Sequence, residues 1–133
     1  YLEYGHVKLR EQLGLLSGPV EEFQKSAEAE HNAMLSMLVD EGYLDASALE
    51  DELANENEII DALYRGLKGS PCKLMAASIV DAVGEKRTQN QPGTSNEYPN
   101  WRIPLADGDG NVVPLEQLFD NTRLQEIAAI MRG

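Results

Sequence analysis

The sequence predicts a mostly α-helical chain that contains about one buried β-strand, at residues 72–78. Apolar residues recur at spacings of three and four through residues 1–69, which is the period of an amphipathic helix. A nearly continuous apolar run follows, and a segment rich in proline, glycine and asparagine separates it from two short helical patterns at the C-terminus. These changes of pattern divide the chain into three parts of one continuous unit: 1–69, 70–105 and 106–133.

Composition and charge argue against several classes of protein. Of the 133 residues, 42% are hydrophobic and 26% are charged, which suits a folded domain or a piece of one rather than a disordered chain. The net charge of −12 is concentrated in residues 1–60, which hold 14 acidic and 3 basic side chains. Such an acidic half is typical of solvated helix faces and disfavours nucleic acid and anionic membranes as partners. No apolar run in the sequence is long enough to span a membrane.

The first residue and the single cysteine also carry information. The chain begins with Tyr1 rather than methionine, which suggests a fragment or a processed form, and it shows no signal-peptide pattern. Its one cysteine, Cys72, cannot form an internal disulfide. We predict that Cys72 is a small buried side chain and that the protein belongs to a reducing compartment, the cytoplasm.

Two helices are predicted before residue 42. The first is short, carries apolar residues from Val7 to Leu16 and ends before Pro19. The second begins near Pro19, has two glutamates in its first turn, and can end at Gly42. Its apolar stripe consists of Val20, Phe23, Ala27, His31, Met34, Leu35 and Leu38.

Two more helices are predicted before the apolar run. In the third, Asp45 is the expected N-cap, and Leu49 and Leu53 are expected to point inward. In the fourth, Asn55 and Glu58 resemble a capping box. The apolar stripe of the fourth consists of Ile59, Ile60, Leu63, Tyr64 and Leu67.

The run at residues 72–80 can be a buried strand or a buried helix by its periodicity alone, and its length favours a strand of a covered parallel sheet. Asp81 follows it, where α/β barrels place functional groups, although an N-cap of the next helix fits equally well. Further on, ADGDGN at residues 106–111 imitates the start of a calcium loop but lacks its glycine and its final glutamate. Two short helices are expected to end the chain.

A self-contained reaction centre is not evident. Neither His6 nor His31 is near a nucleophile motif, and His31, on an apolar stripe, is expected to be a satisfied core or interface histidine. The sequence has no histidine pair with metal-ligand spacing and no glycine-rich phosphate loop. Asp and Glu are abundant, but most lie on predicted exposed faces, where their pKa values are not tuned.

The most informative stretch is QNQPGTSNEYPNWR, residues 89–102. Its prolines and Gly93 stiffen and turn the backbone, which lowers the cost of ordering a binding surface. Asparagine amides offer both donors and acceptors to sugar hydroxyls. Tyr98 and Trp101 can either stack on the apolar face of a sugar or anchor the loop in the body of the protein.

The segment NQPGTSNEYPNWRIPL resembles the C-terminal motif of amylomaltases, the 4-α-glucanotransferases of glycoside hydrolase family 77. GSPCKLMAASIVDAVG resembles their last barrel strand and the turn after it, with Asp81 at a recurring aspartate, and the helices before it are similar more loosely. Ser78 and Asn96 stand where many members have glutamine and aspartate. Ten of the 13 positions from 90 to 102 match: Asn90, Pro92, Gly93, Thr94, Glu97, Tyr98, Pro99, Asn100, Trp101 and Arg102.

This resemblance implies a piece of a (β/α)8 barrel enzyme that transfers α-1,4-glucan segments between malto-oligosaccharides with retention. Such enzymes use an aspartate nucleophile, a glutamate acid/base and a third aspartate. All three would lie before Tyr1, so this chain would hold no catalytic residue and would be inactive alone. No metal ion or other cofactor is expected.

The resemblance also implies roles for residues of this chain. Asn90 is the foremost candidate for a glucan contact, and Asn100 and Trp101 are further candidates. Structural support of the site is expected from Asp81, Pro92, Gly93, Tyr98 and Arg102.

A second hypothesis remains, in which the chain is a stand-alone acidic helical module that binds a protein or a sugar without catalysis. The two hypotheses differ in what precedes the chain, because only the first requires barrel strands with three carboxylates upstream. Outside its barrel, a strand at 72–78 would expose unpaired edges. We expect it to pair again, for example through oligomers, or to fold as helix, and a segment that is bare in a monomer would count against the strand.

Overall fold

The computed structural model describes residues 3–132, and it consists of helices joined by turns and loops. The mostly α-helical prediction is therefore confirmed. Tyr1, Leu2 and Gly133, which belong to the first and last predicted parts, lie outside the described residues. Within residues 3–132, none of the helices is long and apolar enough to cross a membrane. The elements are α1 (Gly5–Gln12), α2 (Val20–Asp40), a 3₁₀ helix (Ala46–Glu50), α3 (Glu56–Gly69), α4 (Ile79–Val83), α5 (Leu115–Leu118) and α6 (Thr122–Arg132).

Helix α2 begins and ends where the sequence predicts. Pro19 occupies its N-cap position, and the two glutamates of its first turn, Glu21 and Glu22, face the positive end of the helix dipole. At the other end Gly42 adopts φ +76, a left-handed conformation that favours glycine. The Tyr43 N–H then donates to the carbonyl of Leu38 at 2.8 Å, and the Gly42 N–H donates to Val39 at 3.0 Å. This pair of bonds is a Schellman motif, which ends the helix sharply.

The third predicted helix is only a 3₁₀ turn. Asp45 caps it as predicted, because its Oδ1 accepts the Ser47 N–H at 2.9 Å. Leu53, predicted to point inward, is 61% exposed. The predicted capping box is also wrong, because the Asn55 side chain instead donates to the carbonyls of Ala48 and Asp51. These backward bonds tie the 3₁₀ turn to the start of α3.

Two apolar clusters share helix α3. The first packs α2, the 3₁₀ turn and α3 together, and the second packs α3, α4 and α6. Different faces of α3 therefore contact the acidic N-terminal helices and the C-terminal part of the chain. The buried members are Leu35, Leu38, Leu44, Ala48, Ile59 and Ala62 in the first cluster, and Tyr64, Ala82 and Ile127 in the second.

The strand predicted at residues 72–78 is absent: the segment has neither strand nor helix structure and every residue in it is exposed. Leu74 is 93% exposed and Met75 is 38% exposed. A strand requires a neighbour for its backbone hydrogen bonds, and residues 3–132 supply none at this place. The segment does not fold as helix either, and it does not pair with another strand within residues 3–132. Pairing through oligomers stays a prediction. Cys72, predicted to be buried, is exposed with the rest of the segment.

Candidate functional site

The motif residues lie in one loop, residues 88–104, whose two ends are joined at Glu85. The Oε1 atom of Glu85 accepts hydrogen bonds from the backbone N–H and the Nε of Arg87, each at 2.9 Å. Its Oε2 atom accepts from Arg87 Nη2 at 2.6 Å and from the backbone N–H of Ala106 at 2.9 Å. Arg87 Nη2 also donates to the Pro104 carbonyl at 2.8 Å. One carboxylate and one guanidinium thus connect the residues before the loop with those after it.

The electrostatics of this junction favour a charged Glu85. Only 2% of the Glu85 side chain is exposed, whereas Arg87 is 47% exposed. The Arg87 side chain, together with the backbone N–H groups of Arg87 and Ala106, lowers the pKa of Glu85 from 4.5 to about 2, although burial opposes this change. The carboxylate is therefore ionised at neutral pH and accepts all four hydrogen bonds.

A tight turn at residues 106–112 follows the loop. Ala106 and Val112 form an isolated antiparallel bridge, and Asp107 Oδ1 accepts the Asn111 N–H at 2.8 Å. The sequence that imitates a calcium loop thus uses its first aspartate to close the turn. Among residues 3–132, no group of three or more His, Cys, Asp or Glu side chains is arranged to hold a metal ion.

Asn100 braces the inside of the 88–104 loop. Its Oδ1 accepts the Gln91 N–H at 2.7 Å, and its Nδ2 donates to Thr94 Oγ1 at 2.9 Å. Thr94 Oγ1 in turn donates to the Gln91 carbonyl at 2.7 Å. Both polar atoms of the Asn100 side chain are therefore bonded within the loop, and Gln91 is buried beneath them.

The two aromatic residues of the loop behave differently. The Tyr98 hydroxyl donates to the Thr88 carbonyl at 2.5 Å, so Tyr98 anchors the loop to its own stem. Trp101 donates its backbone N–H to the Gln89 carbonyl at 2.8 Å but leaves its side chain 76% exposed. Its φ of 58° is unusual for a bulky residue. The cross-loop hydrogen bond holds this conformation and leaves the indole in solvent.

Asn90 is exposed and directly follows Gln89, so it lies beside the hydrogen bond that crosses the loop to Trp101. The fold thus brings an exposed amide and an exposed indole to the same end of the loop. An amide can exchange hydrogen bonds with sugar hydroxyls, and an indole can stack on the apolar face of the ring. Arg102, next to Trp101, is exposed too.

The other predicted supporting residues in the loop form its turn. Pro92 and Gly93 are exposed, and Gly93 has a φ of +86°, which favours glycine. A Cβ atom at Gly93 would lie 3.6 Å from Leu15 Cδ2, so this turn packs against the segment that follows α1. The loop is therefore supported from the N-terminal helices as well as from its own stems.

Asp81 does not join the loop, and it does not cap α4, because Ser78 occupies the N-cap position. Asp81 lies in the first turn of α4, where its Oδ2 accepts the Tyr64 hydroxyl at 2.6 Å. The Tyr64 oxygen accepts the Ser78 N–H at 2.9 Å, and burial, reinforced by Asp81, raises the pKa of Tyr64. Asp81 therefore ties α4 and the end of the 72–78 segment to α3.

His31 is buried as predicted. It is 3% exposed, with Nε2 2.7 Å from Glu52 Oε2, and its ring packs edge-on against Tyr4. This contact joins α2 to the residues after the 3₁₀ turn, and its geometry is that of a structural histidine.

Sequence reasoning missed Glu85 and Arg87, and it placed Tyr64 on the apolar stripe of the fourth helix without finding the role of its hydroxyl. The local signal was weak: Glu85 and Arg87 are opposite charges two residues apart beside the motif. The bond from Glu85 to Ala106 spans 21 residues, and the bond from Tyr64 to Asp81 spans 17. Neither pairing follows from local periodicity, so only the folded chain reveals it.

Comparison with known proteins agrees with the motif. A profile of the family described as 4-alpha-glucanotransferase matches residues 15–109, which include the whole loop. The chain is 45% identical over 133 residues to the 4-alpha-glucanotransferases of Mycobacterium tuberculosis and Mycobacterium bovis, covering 100% of this chain and 18% of each relative. It is 29% identical over 122 residues to that of Haemophilus influenzae, covering 90% of this chain and 17% of the relative.

The fold is also similar to a solved structure. The amylomaltase from Corynebacterium glutamicum matches with a TM-score of 0.79 and 34% identity, over 98% of this chain and 19% of that chain. The chain thus spans less than a fifth of the length of each of these relatives. With a family match over more than half of its residues and this structural similarity, the chain belongs to the 4-alpha-glucanotransferase family.

Proposed function

We propose that this chain is the C-terminal part of a cytoplasmic enzyme that transfers α-1,4-glucan segments between malto-oligosaccharides with retention of configuration. The 88–104 loop forms part of the glucan-binding groove. The catalytic carboxylates lie in the part of the enzyme that precedes this chain, so the chain alone is inactive. No cofactor is required, because retaining transfer needs only a carboxylate nucleophile and an acid/base.

The observation that carries this proposal is the pairing of exposed Asn90 with exposed Trp101 on a braced loop in the family motif. Their backbone positions are fixed before a ligand arrives, so binding costs little ordering. We assign the direct glucan contacts to Asn90 and Trp101. Asn100 contributes chiefly by holding the loop through Gln91 and Thr94, and a second lone pair of its Oδ1 is left to accept a hydrogen bond from the sugar.

Asp81 and the 72–78 segment have structural roles in this proposal. Asp81 fixes the end of the 72–78 segment through Tyr64. In the whole enzyme, we propose that 72–78 lies beside strands of a (β/α)8 barrel, which would cover Leu74 and Met75. A group of exposed apolar side chains supports this: Leu74, Met75 and Ile79 are 93%, 38% and 47% exposed within one short segment. Exposed apolar side chains that lie together mark surfaces that a partner covers.

The test is an assay of the full-length protein with maltotriose as the only substrate. We expect glucose and longer malto-oligosaccharides to form, with the new linkages in the α configuration by NMR, whereas the 133-residue chain forms neither. Glucose without longer products would indicate a hydrolase instead. Absence of any product from the full-length protein would contradict the proposal.

Binding measurements on the 133-residue chain distinguish the proposed enzyme from the alternative, a stand-alone binding module. Calorimetric titration of the 133-residue chain with maltoheptaose or with a protein partner would give tight binding for a module. For the proposed enzyme we expect weak glucan binding by the chain alone, because most of the groove is supplied by the rest of the protein.

A further inference from the structure

We propose that Glu85 is a positioning residue, which holds the 88–104 loop in the conformation that binds glucan. This inference rests on the proposed function of the loop. Glu85 itself lies outside the matched motif, and only 2% of its side chain is exposed. It acts through the loop that it closes.

The first argument is that the loop is closed by a nested series of bonds with Glu85 at its outer end. Glu85 bonds to Ala106, 21 residues away, and Arg87 bonds to Pro104, 17 residues away. Further in, the Gln89 carbonyl bonds to Trp101, and the Gln91 N–H bonds to Asn100 over 9 residues. Once an outer pair is bonded, the chain segment between the two residues of the next pair is short. Closing a short segment costs less conformational entropy, so each outer bond favours the next inner one.

The second argument is that this junction is more than a surface ion pair. The carboxylate accepts two backbone N–H groups, those of Arg87 and Ala106, in addition to the guanidinium. Glutamine replaces one carboxylate oxygen with an NH2 group, which cannot accept a hydrogen bond, so in Glu85→Gln part of this donor set loses its acceptor. The set includes the buried N–H of Ala106. An unpaired buried donor costs more than a lost screened ion pair. The lowered pKa of Glu85 agrees with this, since these donors stabilise its ionised form.

The inner hydrogen bonds of this series hold the part of the loop that contains Asn90 and Trp101, the residues proposed to contact glucan. The backbone hydrogen bond from Trp101 to Gln89 holds Trp101 at φ 58°. Asn90 directly follows Gln89 in the chain. When the outer closure is lost, both residues have more conformations available before ligand binds. Glucan binding then has to order the loop, which weakens affinity but leaves the chemical step unchanged.

The experiment compares Glu85→Gln with Glu116→Gln in the full-length protein. Glutamine has nearly the shape of glutamate but lacks the charge, and Glu116 is exposed in the short helix α5, outside the loop. The first measurement is hydrogen–deuterium exchange by mass spectrometry of peptides covering 88–104. The second is kcat and KM for maltotriose disproportionation.

We expect Glu85→Gln to raise exchange in the loop at least about fivefold, with exchange in α2 and α3 unchanged. We expect KM to rise about fivefold or more, with kcat within about twofold of the parent enzyme, since uniform binding is lost. Arg87→Lys keeps the carboxylate and its bond to Ala106, so it should raise KM less. Glu116→Gln should change neither measurement.

Other outcomes overturn the proposal. Faster exchange throughout the protein, or a lower kcat with unchanged KM, would mean that Glu85 only stabilises the fold and that less active enzyme remains. Unchanged exchange in the loop would mean that the closure does not depend on Glu85. If the parent protein makes no longer oligosaccharides, the proposed function fails, while the exchange measurement still decides whether Glu85 orders the loop.

Discussion

The Tyr64 hydroxyl donates a 2.6 Å hydrogen bond to Asp81 Oδ2 and accepts the Ser78 N–H at 2.9 Å. A single hydroxyl on α3 therefore fixes both the start of α4 and the end of the bare 72–78 segment. The arrangement explains why α4, only five residues long, has a defined position. Residues 72–77, which precede Ser78, are all exposed.

We expect Tyr64→Phe to lower the free energy of unfolding by about 1–3 kcal/mol, because Asp81 and the Ser78 N–H both lose their partner. Urea denaturation of the 133-residue chain measures the change. Tyr43→Phe is the matched control: Tyr43 is also partly buried, but its hydroxyl has no hydrogen-bond partner within residues 3–132. Equal losses in the two variants would show that the Tyr64 network contributes nothing.

Arg123 gives a second test, of the contact between α6 and α3. Its two terminal nitrogens donate to the Asp61 carboxylate at 2.8 and 3.3 Å, whereas Arg65 lies 3.8 Å from the same carboxylate and is 46% exposed. Lysine cannot reproduce the two-nitrogen geometry. We expect Arg123→Lys to cost about 1–2 kcal/mol of unfolding free energy and Arg65→Lys less than about 0.5 kcal/mol. A larger loss for Arg65→Lys would contradict this account of the helix contact.

The lowered pKa of Glu85 predicts how stability depends on pH. Its folded pKa of about 2 lies below the ordinary 4.5, so the contribution is complete above pH 4.5 and is lost as pH falls towards 2. The shift corresponds to at most about 3 kcal/mol. We expect the difference in unfolding free energy between the parent chain and Glu85→Gln to be largest at neutral pH and to disappear near pH 2. A difference that is constant between pH 7 and pH 3 would mean that the ionised carboxylate is not its cause.

The sequence predicted the parts of the fold that local chemistry determines. Helix α2 has an apolar stripe, acidic residues in its first turn and Gly42 at its end, and its bounds followed from them. The same local rules identified Asp45 as a cap. They failed at Asn55, where the side chain bonds backward to the carbonyls of Asp51, four residues earlier, and Ala48, seven residues earlier, instead of forming a cap with Glu58.

The strand at 72–78 could not be predicted correctly, because pairing depends on neighbours and residues 3–132 provide none for this segment. The loop was identified by its residue types, but its closure was not, since Glu85 and Ala106 are 21 residues apart. The sequence pattern also did not show which of Asn90 and Asn100 is bonded inside the loop and which is exposed. Asn100 is bonded inside the loop, whereas Asn90 is exposed.

The central claim, that the exposed end of the 88–104 loop contacts glucan, is tested most directly by Asn90→Ala in the full-length protein. Asn96→Ala is the matched control, because it makes the same change at another exposed position of the same loop. We expect Asn90→Ala to lower kcat/KM for maltotriose disproportionation by about tenfold or more, the effect of a lost hydrogen bond to substrate, and Asn96→Ala to change it less than about twofold. Full activity of Asn90→Ala, or equal losses in both variants, would contradict the assignment of this surface to the substrate.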